Sequence, residues 1–454
     1  MSTENDFSRG SVYRHIINLA VPMTIAQLVQ VAYNIIDRIY IGHLPGASAM
    51  ALTGLGVTFP VVTLVAAFTN LFGMGGAPLC SIERGKGNLM RAERIMGNTF
   101  FLLCLSSVFL LFFCAFFSKP MLYLFGAGDD SYPYAAEYLK IYLIGTPMIM
   151  IATGMNGFIN SQGFAKEGML TILIGAVINI ILDPIFIFVF KLGISGAAFA
   201  TVISQLISAI WVMRFLFGKK TILKLTLPDM KLDLEIIKKV LSLGTAGFVM
   251  QASNGAVQIA CNSTLRDQGG EIYVGIMTVL NSVRDVTALP MQGLANASQP
   301  VLGFNLGAEK FDRIKKSIRF VTIVSTIYMS AVWLLIFLFP EGLMRVFNSD
   351  TELILKGAPA MHIFFFGLFM MAFHVSGQSI FVGLGESKQA VFFSLFRKVF
   401  IVVPLALFLP HLGSLGVNGV FMAEPISNFM SGVLCYIVML ITVNRIFTKG
   451  VNET

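Results

Sequence analysis

QLVQVAYNIID, residues 27–37, lies inside the first long apolar stretch of the chain. Gln27, Gln30, Asn34 and Asp37 follow at steps of three, four and three. On a 3.6-residue helix they share one face, from which Leu28, Val29, Ile35 and Ile36 point away. The composition around this stripe says which solvent such a helix meets. Of 454 residues, 56% are hydrophobic and only 12% charged, with a mean hydropathy of +0.79. That leaves too little polar surface for a soluble globule of this size. The chain is therefore read as an all-α polytopic membrane protein, and Asp37 as a carboxylate in hydrocarbon. Such a group costs a few kcal/mol, or roughly 2.5 and upward, unless it is paired, protonated or wetted by a cavity.

Runs long enough to cross about 30 Å of hydrocarbon predict about twelve helices, several overlong and tilted. They fall near 14–42, 50–80, 95–117, 135–160, 168–190, 195–217, 236–263, 272–304, 317–339, 355–384, 390–409 and 416–445. MSTENDFSRGSVYRH precedes them, polar and mixed in charge, and the next run is too long for a signal h-region. It is expected to remain as a cytoplasmic leader. The five cysteines fall in or beside apolar segments at no metal-ligand spacing and read as small core residues.

The loops alternate in charge. One side gathers Arg9, Arg14, Arg84, Lys86, Arg91, Arg94, Lys166 and the lysines between Lys219 and Lys239. It also gathers Lys310, Arg313, Lys315, Lys316, Arg319, Lys388, Arg397, Lys398, Arg445 and Lys449. The other side holds little beyond Lys119, Lys140, Lys191, Arg266, Arg345 and Lys356. The positive-inside rule places both termini in the cytoplasm. It also absorbs most of the net charge of +8, so no nucleic-acid partner is needed.

The longest polar interruption, residues 218–235, divides the chain into helices 1–6 (residues 1–217) and 7–12 (residues 236–454). The halves repeat. LGISGAAFATVIS from Leu192 aligns without gaps to LGVNGVFMAEPIS from Leu415, and Pro78, Gly85 and Arg91 meet Pro300, Gly307 and Arg313. Two parallel six-helix lobes related by an axis along the membrane normal follow, enclosing a central cleft. Pro22, five residues before the stripe, is a candidate hinge.

The repeat acts as an internal control on the stripe. Gln27, Gln30 and Asn34 meet Gln251, Asn254 and Gln258, so both lobes carry an amide face, but Asp37 meets Cys261. In the fifth span, Asn179 and Asp183 of VINIILDP lie four apart, as do Asn156 and Asn160 in the fourth. Two carboxylates with neutral amide oxygens suit a shared proton or a desolvated Na⁺. Arg284 and Asp285 are adjacent, project about 100° apart, and are expected to find separate partners across the cleft or to make a lobe-locking contact rather than to pair with each other. Glu424, opposite Thr201 in the repeat, is expected to bind a cationic substrate, to pair with Arg284 or to snorkel in a structural role. His374 beside Gln378 reads as a packing residue. GDD at 128–130 lacks a second acidic cluster and GKG at 85–87 lacks phosphate-loop spacing, so neither an enzyme nor an ATP-driven pump is indicated. An ion gradient must then supply the energy.

In its two six-helix lobes, NIIDRIYIGHL ending the first span, NIILDP in the fifth and QPVLGFNLGAEKFDRIKK leaving the eighth, the chain resembles the multidrug and toxic compound extrusion (MATE) family. The resemblance implies a monomeric antiporter in the cytoplasmic membrane of a bacterium, exporting bulky, lipophilic, often cationic drugs in exchange for H⁺ or Na⁺, with no other cofactor. It also implies an ion site at Asp37, Asn179 and Asp183 in the N-lobe. The cleft would be lined by Gln27, Gln30, Asn34, Asn156, Asn160, Gln251, Asn254, Gln258, Arg284 and Glu424. The alternative is a lipid-linked oligosaccharide flippase of the same superfamily, which would need a more basic cleft.

Overall fold

A computed structural model describes residues 6–44, 48–347, 350–413 and 415–452. The first five residues of the leader lie outside them, as does the side chain of Lys449. In chain order the helices are α1 Val12–Gly42, α2 Ser48–Gly85, α3 Leu89–Phe116, α4 Ser118–Leu124, α5 Tyr132–Ser161, α6 Ala165–Pro184, α7 Gly193–Leu216 and α8 Leu234–Gly269. There follow α9 Glu271–Gly307, α10 Phe311–Leu338, α11 Pro340–Phe347, α12 Thr351–Phe365, α13 Met371–Gly383, α14 Ser387–Leu395, α15 Val403–Phe408 and α16 Val417–Asn452. No strand occurs among the described residues.

Among the described residues, eleven helical stretches are long and apolar enough to cross a membrane. The 36-residue α8 is equally long but not among them. It bears Gln251, Asn254 and Gln258, and that amide face dilutes its apolar character.

The chain folds into two compact units. The first runs from Val21 to Phe248; the second takes Phe7–Ala20 together with the chain from Val249 onward. Helix α1 thus begins in the second unit and passes to the first just before Pro22, while α8 begins in the first and passes to the second after Phe248.

In the first unit, α2, α3, α5 and α7 pack around Leu103, Met150, Met155 and Phe158. Glycine permits the closest approaches: a Cβ on Gly244 would lie 1.6 Å from the Leu71 carbonyl oxygen, and one on Gly75 2.1 Å from that of Val240. The polar segment 218–235 is tied down by a side chain of α3 and by Gln162, which caps the end of α5. Gln162 Oε1 accepts from the amides of Ile222 and Leu223, both at 2.9 Å. Asn98 donates to the Lys231 carbonyl (3.0 Å) and accepts from the Asp233 amide (2.9 Å). At the start of α8, Lys239 and Arg91 pair with Glu235 and hold its carboxyl below the usual carboxylate range.

The second unit packs α9, α10, α12, α13 and α16 around Met291, Met361, Phe365 and Phe421. Its leader is anchored by Phe7, 1% exposed and edge-on to Phe304 and His15.

Two helices contain π-helical turns, a geometry enriched at functional positions. One, Ile185–Val189, follows Asp183 and Pro184 at the end of α6; the other, Phe396–Val402, joins α14 to α15 and carries Arg397 and Lys398.

Three cations expected in cytoplasmic loops are buried instead: Arg84 (4% exposed), Arg397 (6%) and Lys398 (8%). Arg84 donates to the Ser161 carbonyl, where a cation offsets the partial negative charge at the end of α5. The other two lie ten and eleven residues into the stretch beginning at Ser387, too deep for a loop.

Candidate functional site

Asn179 and Asp183 are one helical turn apart, so α6 presents both to the same neighbour, α7. Both are buried, at 2% and 0% exposure. Asn179 Nδ2 donates to Asp183 Oδ1 at 3.4 Å and to Thr201 Oγ1 at 3.5 Å. Asp37, half-buried on α1, lies within electrostatic reach of Asp183, and Tyr33, one turn earlier, lies within reach of both. From α5, Tyr138 reaches Asp37 and Thr201.

Asp183 Oδ2, Asp37 Oδ1 and Asn179 Oδ1 are all buried without a hydrogen-bond partner. Buried oxygens are ordinarily satisfied, so three orphans in one cluster call for an explanation. Two carboxylates with an amide and a hydroxyl form an all-oxygen donor set, which can hold a hard monovalent cation or a shared proton. Among the described residues no group of three or more His, Cys, Asp or Glu could hold a metal ion. Tyr33, Tyr138 and Thr201 were not singled out from the sequence; Tyr33 one turn before Asp37 was the available signal.

Asn156 and Asn160 do not join this cluster. Both are buried at 9% exposure and face Gly168, where a Cβ would lie 2.3 Å from Asn160 Oδ1 and 3.1 Å from Asn156 Oδ1. Gly168 is fifteen residues before Asp183, which is about 22 Å along a helix. Their shared face packs α5 on α6 and does not serve the carboxylates. Of the amide stripe, Gln27 and Gln30 are half-buried and Asn34 is exposed; in α8, Gln251 is half-buried and Asn254 and Gln258 are exposed. Pro22 is buried within an unbroken α1.

The second unit gathers a different cluster. Arg397 donates to Glu424 and, at 2.9 Å, to Asn428 Oδ1. Arg284 Nη1 lies 3.8 Å from Glu424 Oε1, as the sequence suggested, but its Nη2 also pairs with Asp285 at 3.1 Å. The expectation of separate partners for Arg284 and Asp285 is thereby corrected. The 100° between neighbouring Cβ directions is bridged because the guanidinium ends a long flexible arm. His374 is buried, with Nδ1 unpartnered.

A family profile described as MatE matches residues 22–185 and 246–408. The chain belongs to the MatE family. Its two matched segments correspond to two copies of one module, one in each half. Among curated proteins, the chain is 24% identical over 440 residues to the Multidrug export protein MepA of Staphylococcus saprophyticus, covering 95% of each chain. It is 26% identical over 439 residues to the Probable multidrug resistance protein YoeA of Bacillus subtilis, covering 94% of each. Among solved structures, one described as MATE in the bent conformation matches with a TM-score of 0.94 at 24% identity, covering 100% of both chains. The fold is that of the MatE transporters, and the chain is a multi-pass membrane transporter rather than an enzyme.

Proposed function

We propose that this chain is a cation-coupled antiporter, exporting bulky lipophilic molecules from a bacterial cytoplasm in exchange for H⁺ or Na⁺. The carrying observation is the group of unpartnered buried oxygens on Asp37, Asp183 and Asn179. Ionised and empty, such a group is costly in hydrocarbon; protonated or holding Na⁺ it is not. Binding of the ion therefore stabilises one arrangement of α1, α6 and α7 over another. That differential is what alternating access requires of a driving ion. The names of the curated relatives support drug export as the task. The amides on α1 and α8 would line the cargo path, Pro22 would let α1 bend, and a monomer with both termini in the cytoplasm would suffice.

Reconstitution in proteoliposomes tests the proposal, with pH and Na⁺ gradients imposed separately and efflux of a lipophilic cationic dye followed by fluorescence. Efflux driven by one gradient, and lost in Asp37→Asn, supports it. Gradient-driven efflux by that variant at the wild-type rate overturns the ion site.

A further inference from the structure

The repeat that pairs Asp37 with Cys261 also pairs Thr201 with Glu424. In the first unit, Asp37 and Thr201 both belong to the carboxylate cluster. In the second unit, Cys261 lies within electrostatic reach of Glu424, Lys398 and Arg284. The fifth long helix of each half completes each cluster beside its π-helical turn, with Asn179 and Asp183 in one case and Arg397 and Lys398 in the other. Two repeat-related positions, Asp37 with Cys261 and Thr201 with Glu424, thus stand in clusters of different charge, although the remaining members of the two clusters are not repeat partners. One gathers two carboxylates. The other gathers Arg284, Arg397 and Lys398 around Glu424 and Asp285.

The positive charge of the second cluster is not fully matched from within. Arg397 is taken by Glu424 and Asn428, and Arg284 is shared between Glu424 and Asp285. Lys398 is buried with neither a hydrogen bond nor an ion pair among the described residues, although it lies within electrostatic reach of Glu424. Its ammonium lacks an ion-pair partner but keeps some accessible surface, where an arriving anion can pair with it. The cluster is not sealed, since the Asp285 side chain keeps 70% of its surface and Arg284 18%. Val257 stands one turn before Cys261 and Phe421 one turn before Glu424, both in the apolar core of this unit, and such neighbours favour an anion carried on an apolar body over a bare hydrated ion.

We propose that the second unit holds an anion-recognition site, anchored by Lys398 and opened at Arg284, for the carboxylate or phosphate headgroup of an amphipathic molecule. This deepens the export reading and rests on it, because the bound molecule would be cargo. It predicts that zwitterionic and anionic amphiphiles are carried as well as cations.

Equilibrium binding, with no gradient imposed, separates this site from the coupling mechanism. The protein is placed in phosphatidylcholine nanodiscs, and fluorescence anisotropy follows carboxyfluorescein and its neutral methyl-ester, methyl-ether derivative. The expected result is binding of the anionic dye that weakens with salt, is lost about tenfold or more in Lys398→Gln, and stays within about threefold in Lys398→Arg. Lys356→Gln, an exposed change in α12, should leave it unaltered. Adding phosphatidylglycerol distinguishes the sources of the headgroup: displacement of the dye identifies a lipid phosphate, and undisturbed binding a soluble anion. Equal affinity of Lys398→Gln and wild type overturns the proposal. So does equal affinity for the neutral derivative, which decides the matter in the wild type should the variant not fold. Failure of gradient-driven efflux with dye binding intact would instead count against the antiport reading alone.

Discussion

The guanidinium of Arg313 closes around the carbonyl oxygen of Phe7, with Nη2 at 2.7 Å and Nε at 3.1 Å. Asn305 Nδ2 reaches the same oxygen at 3.1 Å, and Arg313 Nη1 takes the Gly10 carbonyl at 2.8 Å. Charge-assisted bonds to shared acceptors of this kind contribute about 1.5–3 kcal/mol. Arg313→Gln should destabilise the protein by roughly that much, and Phe7→Ala by about 3–5 kcal/mol. Thermal unfolding in detergent measures both. Unfolding midpoints equal to wild type would show that the leader contributes nothing to the fold.

Asp37→Asn and Asp183→Asn should each reduce gradient-driven efflux at least about tenfold while leaving equilibrium dye binding within about threefold. Neither variant should lose thermal stability, because a neutral amide is cheaper to bury than an unpaired carboxylate. If Na⁺ is the ion, sodium at about 100 times its Kd stabilises the wild type by about 2.7 kcal/mol over choline, and neither variant responds. A wild type indifferent to sodium, with efflux driven by pH, assigns the site to the proton.

Gly75→Ala and Gly244→Ala should destabilise by about 1–3 kcal/mol, since each new methyl meets backbone that must move. Gly56→Ala, in the interior of α2 with nothing within 4 Å of where its Cβ would stand, should instead stabilise by about 0.5–1 kcal/mol. Chemical unfolding of the three variants side by side checks the contrast. A destabilised Gly56→Ala would mean that open space there does not persist in the folded protein.

Glu424→Gln and Arg397→Met should each cost about 3–5 kcal/mol by breaking a buried ion pair, and the double variant less than the sum. Stability measured across the double-mutant cycle gives the coupling directly. Strict additivity would mean that the two charges do not interact.

The polar stripe, the repeat and the VINIILDP turn were legible because helical spacing alone decides which residues share a face. Spacing does not name the facing helix. Asn156 and Asn160 share a face as expected, yet it meets Gly168 rather than the carboxylates. Arg397 and Lys398 were missed because the positive-inside rule assigns any basic residue near a span end to a loop. Glu424 inside the last span was the signal that a buried cation must answer it. Arg284 and Asp285 were misjudged because Cβ direction says little about where a guanidinium on a long, freely rotating arm comes to rest.

Asn305 is separated from Phe7 by 298 residues. At about 5–20 residues per second, a ribosome emits the leader roughly 15–60 s before the side chains that receive it. The segment around Phe7 thus spends that interval without the amide and guanidinium that later hold it.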